Sequence, residues 1–154
     1  MKKLFIEHLR HLAAYAALWL ILDQVSKAWA NRGLHEIQIV DNFFSLTLHH
    51  NQGIAFGFFF GQWPQIIISL AILGLLSAVA IHEWKGDGRN AFLNRALLGV
   101  IVGGALGNLV DRIRLGYVID FISLQPFPIF NLADIGITLG LISLVLLNIR
   151  ETKF

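Results

Sequence analysis

Two aspartates near the boundaries of apolar segments are the residues of this chain best suited to carry chemistry. Asp120 lies near the end of GALGNLVDRIRLGYVIDF (104–121), and Asp134 lies in FNLADIGITLG (130–140). The short connection between the two segments should bring both carboxylates to the same face of a membrane at similar depth. Neighbouring carboxylates do not both ionise readily, so one can activate water while the other donates a proton. The spacing therefore indicates an acid–base pair.

Polar residues on the same segments could support this pair. Asn108, Asp111 and Arg112 stand at positions i, i+3 and i+4, so they share one face of a helix. The guanidinium of Arg112 could orient a carboxylate, a substrate carbonyl or a phosphate. For Asp111, a structural ion pair with Arg112 or Arg114 is an equal alternative to catalysis. Two non-catalytic explanations exist for the aspartates. Asp134 in a first helical turn could simply complement the helix dipole, and Asp120 could be a solvated residue at the interface. Each explains one aspartate, but neither explains the pair together with its two asparagines.

Composition limits the classes of protein to which the chain can belong. Its 154 residues are 56% hydrophobic and 14% charged, with a mean hydropathy of +0.66. This is too apolar for an ordinary soluble domain. A net charge of +2 is too small for a nucleic-acid surface. The absence of cysteine excludes thiol chemistry, disulfides and thiolate metal sites. His49 and His50 are candidate metal ligands. Neighbouring strand residues point to opposite faces, so no metal site is predicted.

The apolar windows predict one membrane-embedded domain over residues 1–154. The predicted spans are 12–30, 65–81, 96–113 and 132–148, and the segments outside the membrane are 31–64 and 114–131. Eight of the twelve lysines and arginines fall on the side that carries both termini. The excess of basic residues on cytoplasmic segments then predicts cytoplasmic termini, with the aspartates on the outer side.

The segment between the first two spans is predicted to contain a strand. Phe44, Leu46 and Leu48 alternate with polar residues, a period typical of a half-buried strand. The apolar stretch Ile54–Phe60 is expected to lie on the membrane surface and to act as a lid. Glycines at 99, 103 and 107 are interpreted as helix-packing positions.

An acidic and a basic residue also stand one helical turn apart in the first span. Asp23 and Lys27 are predicted to form an i, i+4 ion pair with a structural role.

Taken together, five motifs resemble those of the lipoprotein signal peptidase (signal peptidase II) family of bacterial intramembrane aspartyl peptidases. They are DQVSK at 23–27, NQGIAFGFF at 51–59, GNLVDR at 107–112, VIDF at 118–121 and FNLAD at 130–134. Their order and spacing along nearly the whole chain make the combination specific. Ile54 and Ser26 depart slightly from the usual pattern, in which small and threonine residues are more common.

The resemblance implies an all-α polytopic membrane protein with four transmembrane helices and a small β-rich periplasmic element lying on the membrane. It implies the following residue roles: Asp120 and Asp134 as the catalytic dyad; Asn108, Arg112 and Asn131 around it; Asn51 and Gly53 in a surface-loop motif; and Asp23 and Lys27 required outside the dyad.

The family's substrate is a prolipoprotein whose cysteine carries a diacylglyceryl group, and cleavage occurs just before that cysteine. The resemblance implies a location in the bacterial cytoplasmic (inner) membrane and no metal or organic cofactor. We expect a monomer with membrane lipid and prolipoprotein as partners, and no nucleic acid.

Two functions of other classes remain open at this point. A small proton-coupled carrier also uses intramembrane charges, although here the acidic residues cluster at one interface and do not form a path across the bilayer. A non-catalytic scaffold would use the glycine faces for packing but would leave the aspartate pair unexplained. Proton flux in liposomes would favour the carrier, and binding without turnover would favour the scaffold.

Overall fold

A computed structural model describes residues 2–53 and 91–151, together with isolated helical positions between them. Its elements are helix α1 (Lys2–Asn31), strands β1 (Ile37–Val40) and β2 (Phe44–Asn51), helix α2 (Ala91–Leu115), strand β3 (Val118–Leu124) and helix α3 (Leu132–Glu151). Most of the predicted span 65–81, and the predicted lid Ile54–Phe60, lie outside the described residues. Helix α1 begins ten residues before the predicted span 12–30, because helical hydrogen bonding continues through polar residues that an apolar window excludes.

Helix α2 is central because it packs against both α1 and α3. Its glycines allow the backbones to approach closely. A methyl group added at Gly99 would lie 2.7 Å from the carbonyl oxygen of Leu12 in α1, and one at Gly104 would lie 2.6 Å from that of Ala133 in α3. The packing role predicted for the glycine spacing is thus confirmed at Gly99.

The described helices bury several charged side chains between them and expose many large apolar side chains. Leu18 and Val25 of α1 are 53% and 62% exposed, and Leu146 of α3 is 58% exposed, whereas Asp23 and Lys27 are almost fully buried. This polarity is opposite to that of a water-soluble domain and fits a protein surrounded by lipid. Among the described residues, only α2 is both long and apolar enough to cross a membrane, and α3 holds a shorter apolar stretch.

The three strands form one antiparallel sheet in the order β1–β2–β3. The strand predicted from the alternation at 44–48 is confirmed as part of β2. A tight turn joins β1 to β2, with Asn42 at a φ of 56° and the Phe43 N–H donating to the Val40 carbonyl at 3.0 Å. Strand β3, in the segment 114–131, was not predicted.

A glycine ends α2 and directs the chain into β3. Gly116 has a φ of 82°, and its N–H donates to the carbonyl of Arg112 at 3.1 Å. This arrangement is typical of helix C-termini. The Ile119 N–H then donates to a carboxylate oxygen of Asp111 at 3.2 Å. These contacts fix β3 against the last turns of α2, so Asp120 is held close to Asn108.

Candidate active site

Asp120 lies in the middle of β3 with only 1% of its surface exposed. Both carboxylate oxygens accept hydrogen bonds from side-chain amides. Asn51 of β2 donates to one oxygen at 2.8 Å, and Asn131 donates to the other at 2.6 Å. The carboxylate is therefore oriented by two neutral donors from different parts of the chain.

Asp134 lies in the first turn of α3, where the sequence places it by a local capping pattern. The Asn131 N–H donates to the Asp134 carboxylate at 3.2 Å, and the Asp134 N–H donates to the Asn131 side-chain oxygen at 3.1 Å. This reciprocal pair satisfies backbone donors at the start of the helix. Asn108 of α2 donates to the other oxygen of Asp134 at 2.8 Å.

The two asparagines connect the two aspartates. The side-chain amide of Asn131 donates to Asp120 and also, at 3.1 Å, to the side-chain oxygen of Asn108. A continuous hydrogen-bonded path therefore runs from Asp120 through Asn131 and Asn108 to Asp134. The structure thus brings together the four residues that the sequence suggested as a pair with supporting amides.

The surroundings of Asp120 disfavour its charged form. Burial raises the pKa of Asp120 to about 6, the hydrogen bond from Asn51 opposes this rise, and the negative charge of Asp134 adds to it. A carboxyl group with a pKa near the working pH can lose and regain a proton during a reaction.

Asn51 is held by a turn that also contains Gly53. The Gly53 N–H donates to the side-chain oxygen of Asn51 at 2.9 Å. The amide group of Asn51 is thereby left to donate to Asp120. Both residues of this predicted motif lie on the wall of the same cavity as the aspartates.

Lys27 occupies the centre of a buried charge cluster. Its ammonium group lies 2.9 Å from carboxylate oxygens of both Asp23 and Asp111, and it donates to the side-chain oxygen of Asn108 at 2.9 Å. The predicted i, i+4 pair is confirmed. For Asp111, the structure supplies a cation from α1, a partner that the sequence analysis did not consider.

Helix α1 makes further contacts with the other helices through this cluster. Asp23 accepts from the Ala133 N–H of α3 at 2.9 Å, and Gln24 donates to Asp111 at 3.0 Å. A methyl group at Gly107 would collide with the carboxylate of Asp23. Sequence reasoning missed Gln24, although a polar residue inside an apolar helix was an available signal.

A cavity of about 880 Å³ opens beside both aspartates. Its polar wall includes Asp120, Asp134, Asn108 and Arg112, and Arg112 also donates to the Asn108 carbonyl at 3.3 Å. The other lining residues, which were not predicted to form part of a site with the aspartates, include His49, Phe127, Pro128, Ile129, Ile135, Thr138 and Leu139. Such a space can hold an apolar chain with a polar group beside the carboxylates.

Within the part of the chain that the structure describes, no three His, Cys, Asp or Glu side chains are grouped to hold a metal ion. His49 lies on the cavity wall, and His50 packs against Tyr117 with their ring centroids 4.4 Å apart. The two histidines therefore point in different directions, as the strand predicts.

Comparison with known proteins places the chain in a family. A family model described as signal peptidase (SPase) II matches residues 15–150. The chain belongs to the signal peptidase II family. A lipoprotein signal peptidase of Pseudomonas fluorescens is 42% identical over 146 residues, covering 88% of this chain and 85% of the relative. One from Moorella thermoacetica is 38% identical over 132 residues, covering 84% and 86%.

Solved structures agree with this family assignment. Two structures of bacterial membrane enzymes, obtained by the in meso method, superpose with TM-scores of 0.76 and 0.72, each at 29% sequence identity. The first match covers 92% of this chain and 88% of the other, and the second covers 90% and 91%. Membership of the signal peptidase II family identifies a membrane-embedded peptidase, so the carrier and scaffold interpretations are set aside.

Proposed function

We propose that the protein is an aspartyl endopeptidase that removes the signal peptide from diacylglyceryl-modified prolipoproteins by cleaving just before the lipid-modified cysteine. The name shared by its relatives, lipoprotein signal peptidase, supports the substrate class. The observation that carries the proposal is the hydrogen-bonded path between Asp120 and Asp134 on one wall of a largely apolar cavity. No metal or organic cofactor is needed for this chemistry.

In this mechanism the two aspartates begin with one proton between them, because the reaction needs one carboxylate as a base and one carboxyl group as an acid. The ionised carboxylate removes a proton from water, and the water oxygen forms a bond to the scissile carbonyl carbon. The protonated carboxyl group hydrogen-bonds the carbonyl oxygen as negative charge develops there. A proton is then delivered to the amide nitrogen, the C–N bond breaks, and the new carboxyl and amino ends separate.

Arg112 and the asparagines have complementary roles in the proposal. The guanidinium of Arg112 lies on the cavity wall and provides a positive charge for the tetrahedral oxyanion. Asn131, Asn108 and Asn51 orient the carboxylates without neutralising them, because amides donate hydrogen bonds without carrying charge. Gly53 keeps the turn that orients Asn51.

The buried cluster of Asp23, Lys27 and Asp111 serves as a positioning element. Lys27 donates to the same oxygen of Asn108 that accepts from Asn131. The orientation of Asn108 is therefore fixed, and its amide group points at Asp134. Because these residues do not line the cavity, we assign them no contact with substrate.

The membrane setting completes the proposal. The chain forms one domain with spans near 12–30, 65–81, 96–113 and 132–148, and with segments 31–64 and 114–131 on the outer side. Both termini face the cytoplasm, and the cavity faces the periplasm or cell exterior. The exposed apolar surfaces of α1 and α3 support insertion in the cytoplasmic membrane, where a monomer meets a lipid-anchored substrate at the depth of the aspartates.

The test is cleavage of a diacylglyceryl-modified prolipoprotein by the purified protein in detergent. Asp120→Asn and Asp134→Asn should each lower turnover by at least about a hundredfold, since each removes one acid–base group. Thermal unfolding must show that both variants are folded. A prolipoprotein without the lipid group serves as the substrate control and should remain uncleaved. Near-normal turnover by either folded variant, or failure of the parent on a validated substrate, would refute the proposal.

A further inference from the structure

His49 lies directly across the sheet from Asp120. The two residues are register partners in the antiparallel pair of β2 and β3. Side chains opposite each other in such a pair share one face, with Cβ atoms about 4.5–5.5 Å apart. His49 and Asp120 accordingly line the same cavity. A register irregularity between Leu46 and His49 changes the pairing just before this position, as bulges near active sites often do.

The carboxylate of Asp120 is already oriented without a hydrogen bond from the imidazole of His49. Both oxygens of that carboxylate already accept hydrogen bonds from Asn51 and Asn131. Asp120 is buried, whereas His49 is exposed at the cavity wall. An exposed imidazole on the cavity wall is accessible to a substrate bound there.

A substrate in this cavity needs hydrogen-bond donors near the reacting amide. Much of the cavity lining consists of apolar side chains such as Phe127, Ile129 and Leu139, which offer none. Moving a carbonyl group from water into such surroundings costs free energy unless the carbonyl oxygen accepts a hydrogen bond there. In an extended peptide, successive residues are about 3.3 Å apart, so a group opposite Asp120 lies within reach of the residue next to the scissile bond.

We propose that His49 is a substrate-positioning residue whose ring N–H donates a hydrogen bond to a substrate carbonyl oxygen beside the scissile amide. The acceptor belongs either to the peptide backbone or to an ester of the glyceryl group, because both present the same chemistry. The inference rests on the proposed function. It adds a residue that neither the acid–base mechanism nor the asparagine network uses.

The experiment compares His49→Ala, His49→Gln and His50→Ala in steady-state cleavage of the lipid-modified prolipoprotein by the full-length protein. His49→Ala should raise KM roughly three- to tenfold, the range for one neutral hydrogen bond, while kcat changes less than about twofold. His49→Gln, which keeps an N–H donor, should restore most of the loss. His50→Ala is the matched control, since His50 packs on Tyr117, and it should behave like the parent.

A second substrate, in which ether-linked alkyl chains replace the acyl esters, identifies the acceptor. A His49→Ala defect that persists with the ether substrate assigns the hydrogen bond to a peptide carbonyl, and one that disappears assigns it to an ester.

The proposal is wrong if His49→Ala matches the parent on the ester substrate, if His49→Gln is as defective as His49→Ala, or if the defect lies in kcat alone. These results leave the proposed function intact as long as the parent cleaves and Asp120→Asn does not.

Discussion

Replacing Lys27 by methionine tests the buried charge cluster most directly. Lys27 is 1% exposed, and its ammonium group lies 2.9 Å from each of two buried carboxylates, Asp23 and Asp111. Methionine retains most of the side-chain volume but removes the charge. Breaking a buried ion pair by removing one partner typically costs about 3–5 kcal/mol, because the remaining charge is left without compensation.

The expected loss of stability in Lys27→Met comes mainly from the two uncompensated carboxylates and not from Asn108. The side-chain oxygen of Asn108 keeps its hydrogen bond from Asn131 when Lys27 is removed, so no buried acceptor is abandoned there. We therefore expect Lys27→Met to lower the free energy of unfolding by about 3–5 kcal/mol. For a chain of this length, that corresponds to a fall in Tm of roughly 6–20 °C.

Thermal unfolding of the purified variants in one detergent measures this effect. Arg114→Met is the matched control, because Arg114 is an exposed cation on α2, and its Tm should change little. Adding Asp111→Asn to Lys27→Met should recover part of the loss, since one of the two uncompensated carboxylates is then removed. A Lys27→Met protein as stable as the Arg114→Met control would refute the argument that this cluster needs its cation.

Two further outcomes follow from the same contacts. The value of kcat/KM should fall about tenfold per pH unit above pH ~6, because the pKa of Asp120 is raised to about 6 by burial and by the negative charge of Asp134, so the proton that the pair retains is lost as the pH rises through that value. A profile that stays flat up to pH ~8 would contradict shared-proton catalysis. Gly107→Ala should lower both Tm and turnover, because the added methyl group meets the Asp23 carboxylate. Gly74→Ala, where the added group meets no described atom within 4 Å, should leave both unchanged.

The parts of the site that local sequence patterns specify could be predicted. The spacing of Asn108 and Arg112 places them on one helical face, and FNLAD places Asn131 and Asp134 at a helix start. The structure keeps both arrangements, in the Arg112 contact with the Asn108 carbonyl and in the reciprocal cap of α3. The period-two pattern at 44–48 likewise predicted part of β2, because that strand is only half-buried.

Strand β3 could not be recognised in the same way. Its first four residues, Val118–Phe121, are all buried, so no alternation of apolar and polar residues distinguishes one face from the other. The contact of Lys27 with Asp111 also had no local signature, because it depends on how α1 and α2 are rotated against each other. The residues of the cavity wall near 127–130 come together with α3 only in the folded chain.

The balance of charge around the site supports the shared proton of the proposed mechanism. Four carboxylates, of Asp23, Asp111, Asp120 and Asp134, lie in the connected network. Lys27 is in contact with the first two, so Arg112 is the cation that shares the cavity wall with the other two. Two carboxylates facing one cation in a poorly solvated site favour retention of one proton.

The asparagines preserve this balance because they orient the pair with neutral donors. A lysine in place of Asn131 or Asn108 would hold the carboxylates equally close but would favour ionisation of both. The acid needed for the departing amide nitrogen would then be lost. In the proposed mechanism the chain therefore separates two tasks: the ammonium group of Lys27 holds the helices together, and the side-chain amides orient the carboxylates of Asp120 and Asp134.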